Sequence, residues 1–180
     1  LAAGKAEADA ATVAALAAGL QVDFRLDAAG CTVLLNGEPV GDALRSERCA
    51  ATASKIAAYP AVRAALLDYQ RRFAGDAPLI ADGRDMGTVV FPAAPLKFFL
   101  TASSEIRAER RHKQLLAKGE CVNVRDIYAE IVARDERDQT RSVAPLKPAS
   151  DAVVIDTGGL SIQDVHQQVS REIAARFSFT

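Results

Sequence analysis

The sequence predicts an α/β protein: a parallel sheet with helices on both faces, plus a small antiparallel insert. Three observations predict it. Short apolar runs at PLIAD (78–82), PLKFFLTA (95–102) and DAVVIDT (151–157) alternate with helical segments, the pattern of parallel strands buried between helices. Upstream, VDFRL (22–26) and CTVLLNG (31–37) alternate in polarity around Asp27-Ala28-Ala29-Gly30, which reads as a hairpin. Alanine accounts for 36 of the 180 residues, and alanine is the strongest helix former.

Each element follows from its local signals. An Ala-rich helix is predicted from about Asp9 and stops at Gly19, since glycine favours helix C-termini. The hairpin follows, with Glu38-Pro39-Val40 continuing a small antiparallel sheet. Asp42 is the predicted cap of a helix reaching about Ala58, Tyr59-Pro60 breaks it, and Pro60 opens a second helix through Phe73. After the loop at 75–78 and the first apolar run, Ser103 caps a charged helix ending at Lys118-Gly119. Asn123 with Asp126 opens a further helix to about Arg141, beyond which Pro145 and Pro148 prevent continuation. Ser161 and Asp164 form a capping box for a last helix ending near Phe177.

Composition narrows the function. At 180 residues the chain has room for one domain or a domain with a small insert. A net charge of −1 argues against coating nucleic acid or anionic membrane. The absence of a long apolar run argues against a membrane span. Cys31, Cys49 and Cys121 are odd in number and show no CxxC spacing, and His112 and His166 are isolated. These read as reduced thiols of a cytosolic protein, with no disulfide framework and no metal site. Arginine outnumbers lysine sixteen to six, and arginine's planar fork suits carboxylates and phosphates.

Four segments carry candidate chemistry. DGRDMGT (82–88) follows an apolar run at the end of the predicted sheet, where ligands of α/β proteins bind. Arg84 can hold a phosphate and Asp85 can accept N–H donors; equally, the segment reads as a capped turn closed by an Asp–Arg pair. In RDERDQTR (134–141), Arg134, Asp138 and Arg141 fall within about 60° on a helical wheel, with Arg137 beside them. They form either a phosphate cluster or a solvated face laced by i,i+4 pairs. RAERRHK (107–113) reads as an RNA-contacting stripe, though without interleaved aromatics, or as a mobile arm that brings arginines to an anion. Ser54 and Arg63 flank the Tyr59-Pro60 break and read either as contacts to a small ligand or as a helix residue and a surface charge. Gly4-Lys5 is not the end of a phosphate loop, because no glycine stands five residues before it and Ala6 follows it.

Taken together, these segments resemble bacterial cytidylate kinases. The resemblance is carried by residues 79–103 and 134–157, by SKIAAYPAVRAALLDYQRRF (54–73) and by the insert of residues 22–43. It implies the parallel sheet of P-loop nucleoside monophosphate kinases and transfer of the ATP γ-phosphoryl group, as MgATP, to CMP or dCMP. Magnesium would come with ATP, with no protein ligand identified. By position, the resemblance implies that Ser54, Arg63 and Asp85 read the cytosine ring and Arg84 the CMP phosphate. It likewise implies that Arg134 and Asp138 hold sugar hydroxyls, that Arg141 contacts phosphate at the reaction centre, and that Arg110 and Arg111 belong to a lid over ATP. Arg84, Arg134 and Arg141 are thus the expected catalytic cations.

The expected division is a nucleoside monophosphate-binding region at 1–78 with its insert at about 22–43, and a core at 79–180 with a lid at about 103–122. The expected setting is cytoplasmic, as a monomer when complete, without nucleic acid or membrane. The family opens with a strand, a Gly-rich loop, a helix and a second strand, none of which is found here, and the chain begins at Leu1. The expectation is an N-terminally incomplete kinase, inactive or impaired by itself. In this fold the first strand lies between those at 79–82 and 96–101, whose inner edges would be unpaired without it. The alternative is a non-catalytic nucleotide-binding relic, or a fragment that needs a partner to complete its sheet.

Overall fold

A computed structural model of the chain describes residues 9–28, 30–75 and 78–177. Two compact units emerge, residues 1–80 with 141–143, and residues 81–140 with 144–180.

In the first unit, α1 (Ala10–Ala18) starts at Asp9, whose carboxylate accepts the Thr12 N–H, and ends at Gly19. The antiparallel sheet follows, with β1 (Val22–Asp27), β2 (Gly30–Leu35) and β3 (Glu38–Pro39) in the order β1-β2-β3. Leu35 pairs with Glu38, so Asn36-Gly37 is a two-residue turn, and both residues have positive φ (52° and 83°). That is the primed turn whose twist matches a hairpin, and glycine occupies it without strain. Gly37→Ala is expected to lower unfolding stability by about 1 kcal/mol, measured by urea denaturation of the purified chain.

The helix predicted to begin at Asp42 begins later. Residues Gly41–Arg45 form a tight 3-10 turn, and Ser46, in extended conformation, is the cap of α2 (Glu47–Ile56). Its hydroxyl accepts the Cys49 N–H at 3.2 Å, satisfying one of the otherwise unpaired donors of the first turn. Pro60 opens α3 (Pro60–Arg72), as its sequence position predicts.

Val13 and Ala17 of α1 meet Val62 of α3 in a small core joined by Ile56, Tyr59 and Leu66. The Tyr69 hydroxyl donates to the Val22 carbonyl at 2.6 Å and accepts the Val22 N–H at 3.0 Å. Phe24 and Phe73 stack edge to face at 5.5 Å. Together these contacts tie the insert to α3.

In the second unit, β4 (Phe98–Thr101) and β5 (Val153–Asp156) pair in parallel, Phe98 opposite Val153 through Thr101 opposite Asp156. Ile155 is buried, whereas Leu100 and Val154 stay half exposed. The predicted strand at 78–82 is absent: the run joins no ladder, and Ile80 is 94% exposed. A strand exists only where a neighbour takes its hydrogen bonds, and among the described residues β4 pairs with β5 alone.

Three helices complete this unit: α4 (Ser104–Ala117), α5 (Val124–Thr140) and α6 (Ile162–Arg176). Their starts agree with the sequence signals. Ser103 caps α4, the Asn123 carboxamide accepts the Arg125 N–H, and Ser161 with Asp164 forms the full capping box. Ala108 and Leu115 of α4 pack on Ile127 of α5, with Val122 and Ile131 at the margin.

Candidate active site

The DGRDMGT segment lies on a bend followed by a single π-helical turn, Met86–Val90. The Asp85 carbonyl accepts N–H groups from Thr88, Val89 and Val90, and the Phe91 N–H reaches the Met86 carbonyl at 2.7 Å. Wide turns of this kind are rare and often mark functional positions. Here the turn leaves Asp85 buried and Arg84 exposed. Gly87 permits a close approach behind the loop, where a Cβ would stand 3.1 Å from Lys97 Cδ. The Lys97 ammonium donates to the Pro92 carbonyl and to both Asp151 oxygens at 2.7–2.9 Å, and this hydrogen bond holds the Asp151 carboxyl below its ordinary value.

Helix α5 brings the second cluster to the first. Asp138 is 3% exposed; Arg84 Nε lies 3.4 Å from its Oδ2, and Arg134 Nε, one helical turn back, lies 3.9 Å away. Arg134 and Asp138 form the i,i+4 pair that a charge-laced face would show, but Asp138 is buried rather than solvated. The carboxylate lies on the Nε side of both guanidiniums, and a guanidinium fork is the geometry that grips phosphate.

Arg141 departs from the predicted wheel, because α5 ends at Thr140. The Thr140 hydroxyl donates back to the Glu136 carbonyl at 2.6 Å, and the Leu146 N–H donates to the Asp138 carbonyl at 2.7 Å. The helix is closed by those bonds, and Arg141 falls within the first compact unit. Ser54 and Arg63 also belong to that unit, Ser54 buried on α2 and Arg63 within 3.5 Å of the Ala57 carbonyl.

Of the two arginines expected in a lid, Arg110 lies across the strand ends. It donates to the Thr157 hydroxyl at 3.0 Å and carbonyl at 2.5 Å, and Thr157 in turn bonds the Thr101 carbonyl. The carboxyl ends of β4 and β5 are where parallel sheets bind ligands. Arg111 is half-buried on α4. Sequence reasoning places Arg107 in the charged segment 107–113 but misses its two-pronged pair with Asp135 of α5; that hydrogen bonding raises its pKa. The pair is invisible to helical spacing because it joins two helices. Among the described residues no group of three or more His, Cys, Asp or Glu is placed to hold a metal ion, and no helix is long and apolar enough to cross a membrane.

Two parallel strands joined through helices, with a buried carboxylate beside two arginines, make an architecture suited to proteins that handle phosphorylated nucleotides. Comparison with known proteins makes the class specific. The family model described as cytidylate kinase matches residues 1–175. The cytidylate kinase of Dichelobacter nodosus is 58% identical over 170 residues, covering 94% of this chain and 75% of the relative. That of Shewanella loihica is 56% identical over 156 residues, covering 86% and 68%. That of Pseudomonas syringae pv. tomato is 55% identical over 163 residues, covering 89% and 71%. The chain belongs to the cytidylate kinase family.

Proposed function

We propose that this chain serves transfer of the γ-phosphoryl group of ATP to CMP or dCMP, giving CDP or dCDP. The observation that carries the reading is the Arg84–Asp138–Arg134 cluster in a chain of the cytidylate kinase family. In the transfer, an oxygen of the CMP phosphate forms a bond to the γ-phosphorus as the bond to the β-γ bridging oxygen breaks, and ADP leaves. Such a reaction is governed by positioning and charge neutralisation, which suits a cluster of arginines.

The roles proposed for single residues follow the resemblance. Arg84 takes the CMP phosphate, Arg134 and Asp138 the sugar hydroxyls, and Arg141 a phosphate at the reaction centre. Ser54, Arg63 and Asp85 read the cytosine ring. Arg110 and Arg111 act toward ATP within a lid of about residues 103–122, in a core of residues 79–180. Residues 1–78 with the insert at about 22–43 form the monophosphate-binding region. Magnesium arrives as part of the MgATP substrate, and the proposed setting is a cytoplasmic monomer.

Asp85 supplies the test. A carboxylate that is 7% exposed can accept an exocyclic N–H of cytosine, which uracil lacks at that position. Asp85→Ala is expected to reduce the ratio of CMP to UMP affinity by about 10- to 100-fold, the worth of one hydrogen bond to a charged group. Titration calorimetry with both nucleotides measures it. An unchanged ratio would show that Asp85 does not read the base.

A further inference from the structure

Arg107 spends its donors on three elements. Nε donates to the Ala102 carbonyl at the end of β4 (3.1 Å), and Nη2 donates to the Ser104 hydroxyl in the first turn of α4 (3.0 Å). Nη1 donates to Asp135 Oδ1 at 3.0 Å, and Nη2 also donates to Asp135 Oδ2. Asp135 stands on α5 between Arg134 and Asp138. The two side chains are 37% and 21% exposed, and pairs that open to water contribute little to stability. A two-pronged arginine–carboxylate pair nevertheless fixes direction as well as distance.

That direction matters because of where the apolar core ends. Ala108, Leu115 and Ile127, with Ile131, anchor the first half of α5 against α4. From Val132 to Thr140 the only buried residue is Asp138. The half of α5 that bears Arg134 and Asp138 is therefore held by polar contacts. These include the Arg107–Asp135 pair, the Arg84–Asp138 pair and the Leu146 N–H on the Asp138 carbonyl. A turn of α5 by about 20° displaces a side-chain tip about 6 Å from the axis by ~2 Å, and misplacement by about 1 Å can cost about a hundredfold in catalysis.

We propose that Arg107 and Asp135 are positioning residues that set the rotation of the second half of α5 and so aim Arg134 and Asp138 at the nucleoside monophosphate. The proposal rests on the reading of Arg134 and Asp138 as nucleotide-binding groups. Neither Arg107 nor Asp135 touches the nucleotide in this scheme.

The experiment measures CMP affinity by titration calorimetry and thermal stability by circular dichroism, on the full chain and its variants. Arg107→Met and the near-isosteric Asp135→Asn are each expected to weaken CMP binding by about tenfold, and the double variant by no more than the worse single one. Ser161→Ala, which removes the cap of α6, is expected to lower the melting temperature and leave CMP affinity unchanged. Wild-type affinity in both single variants overturns the proposal. So does a double variant whose loss is the full product of the two single losses, or a Ser161→Ala variant that loses as much affinity as they do. Failure of the unaltered chain to bind CMP overturns the reading of the site, and the positioning role with it.

Discussion

Asp138→Ala is expected to lower CMP affinity by about 100-fold and unfolding stability by about 2 kcal/mol. The affinity figure takes the low end of the about 2–5 kcal/mol lost when one member of a buried charge pair is truncated, because Asp138 is buried while its two partners are partly exposed. Asp138 is 3% exposed and faces Arg84 at 3.4 Å and Arg134 at 3.9 Å. Its removal releases two guanidiniums from their common anchor and places their charges side by side. The stability cost is set below the about 3–5 kcal/mol of a fully buried pair, because the Arg84 and Arg134 side chains are 47% and 34% exposed and regain water. Calorimetry with CMP and urea denaturation measure the two quantities separately. Asp138→Asn, which preserves shape, separates charge from packing: it should reproduce most of the affinity loss. CMP affinity unchanged in both variants would remove Asp138 from the site.

The second large effect concerns turnover. These 180 residues are expected to phosphorylate CMP from MgATP more than about a thousandfold more slowly than the cytidylate kinase of Dichelobacter nodosus under the same conditions. In the proposed scheme the arginines of the site take the acceptor phosphate, but the donor's β- and γ-phosphates need a cradle of backbone N–H groups and a lysine. No run in this sequence has the form GxxxxGK followed by Ser or Thr. Loss of one preorganised donor typically costs about 10²–10³ in turnover, and such a loop supplies several. Phosphorus NMR of CMP and MgATP incubated with the chain measures CDP formation. CMP binding serves in the same sample to show that the protein is folded. Turnover within tenfold of the relative would mean that residues present here hold the donor phosphates.

Local order in this protein is legible in its sequence because the causes of that order are local. Asp9, Ser103 and the Ser161–Asp164 box start helices by accepting N–H groups three residues ahead. Asn36-Gly37, which the sequence reading takes into the run 31–37, instead turns a hairpin with both residues at positive φ. Pro60 breaks and restarts a helix through its own ring. The same signals point to Asp42 as the cap of α2, four residues ahead of Ser46, since acid and hydroxyl caps are equivalent until the backbone shows which one is extended.

The candidate site is legible as two strings of charge, DGRDMGT and RDERDQTR, and each string fits a solvated or capped surface as well as a binding site. Packing in three dimensions decides only the burial, and it buries Asp138 beside Arg84 and Arg134. Whether a carboxylate on a helix is solvated or buried depends on what approaches from elsewhere in the chain, and Arg84 reaches Asp138 from a distant loop. The same dependence explains the apolar run at 78–82, whose composition suits a strand but whose ladder needs a neighbour. It also explains Arg141, which leaves the helix where Thr140 and Leu146 close it, and Arg107, whose partner lies on another helix. Caps, turns, helix starts and family are thus written in residue order. Burial and the pairing of charge come from the folded arrangement, because Coulombic and hydrogen-bond partners are chosen by proximity in space, and a single chain's spacing records only proximity along itself.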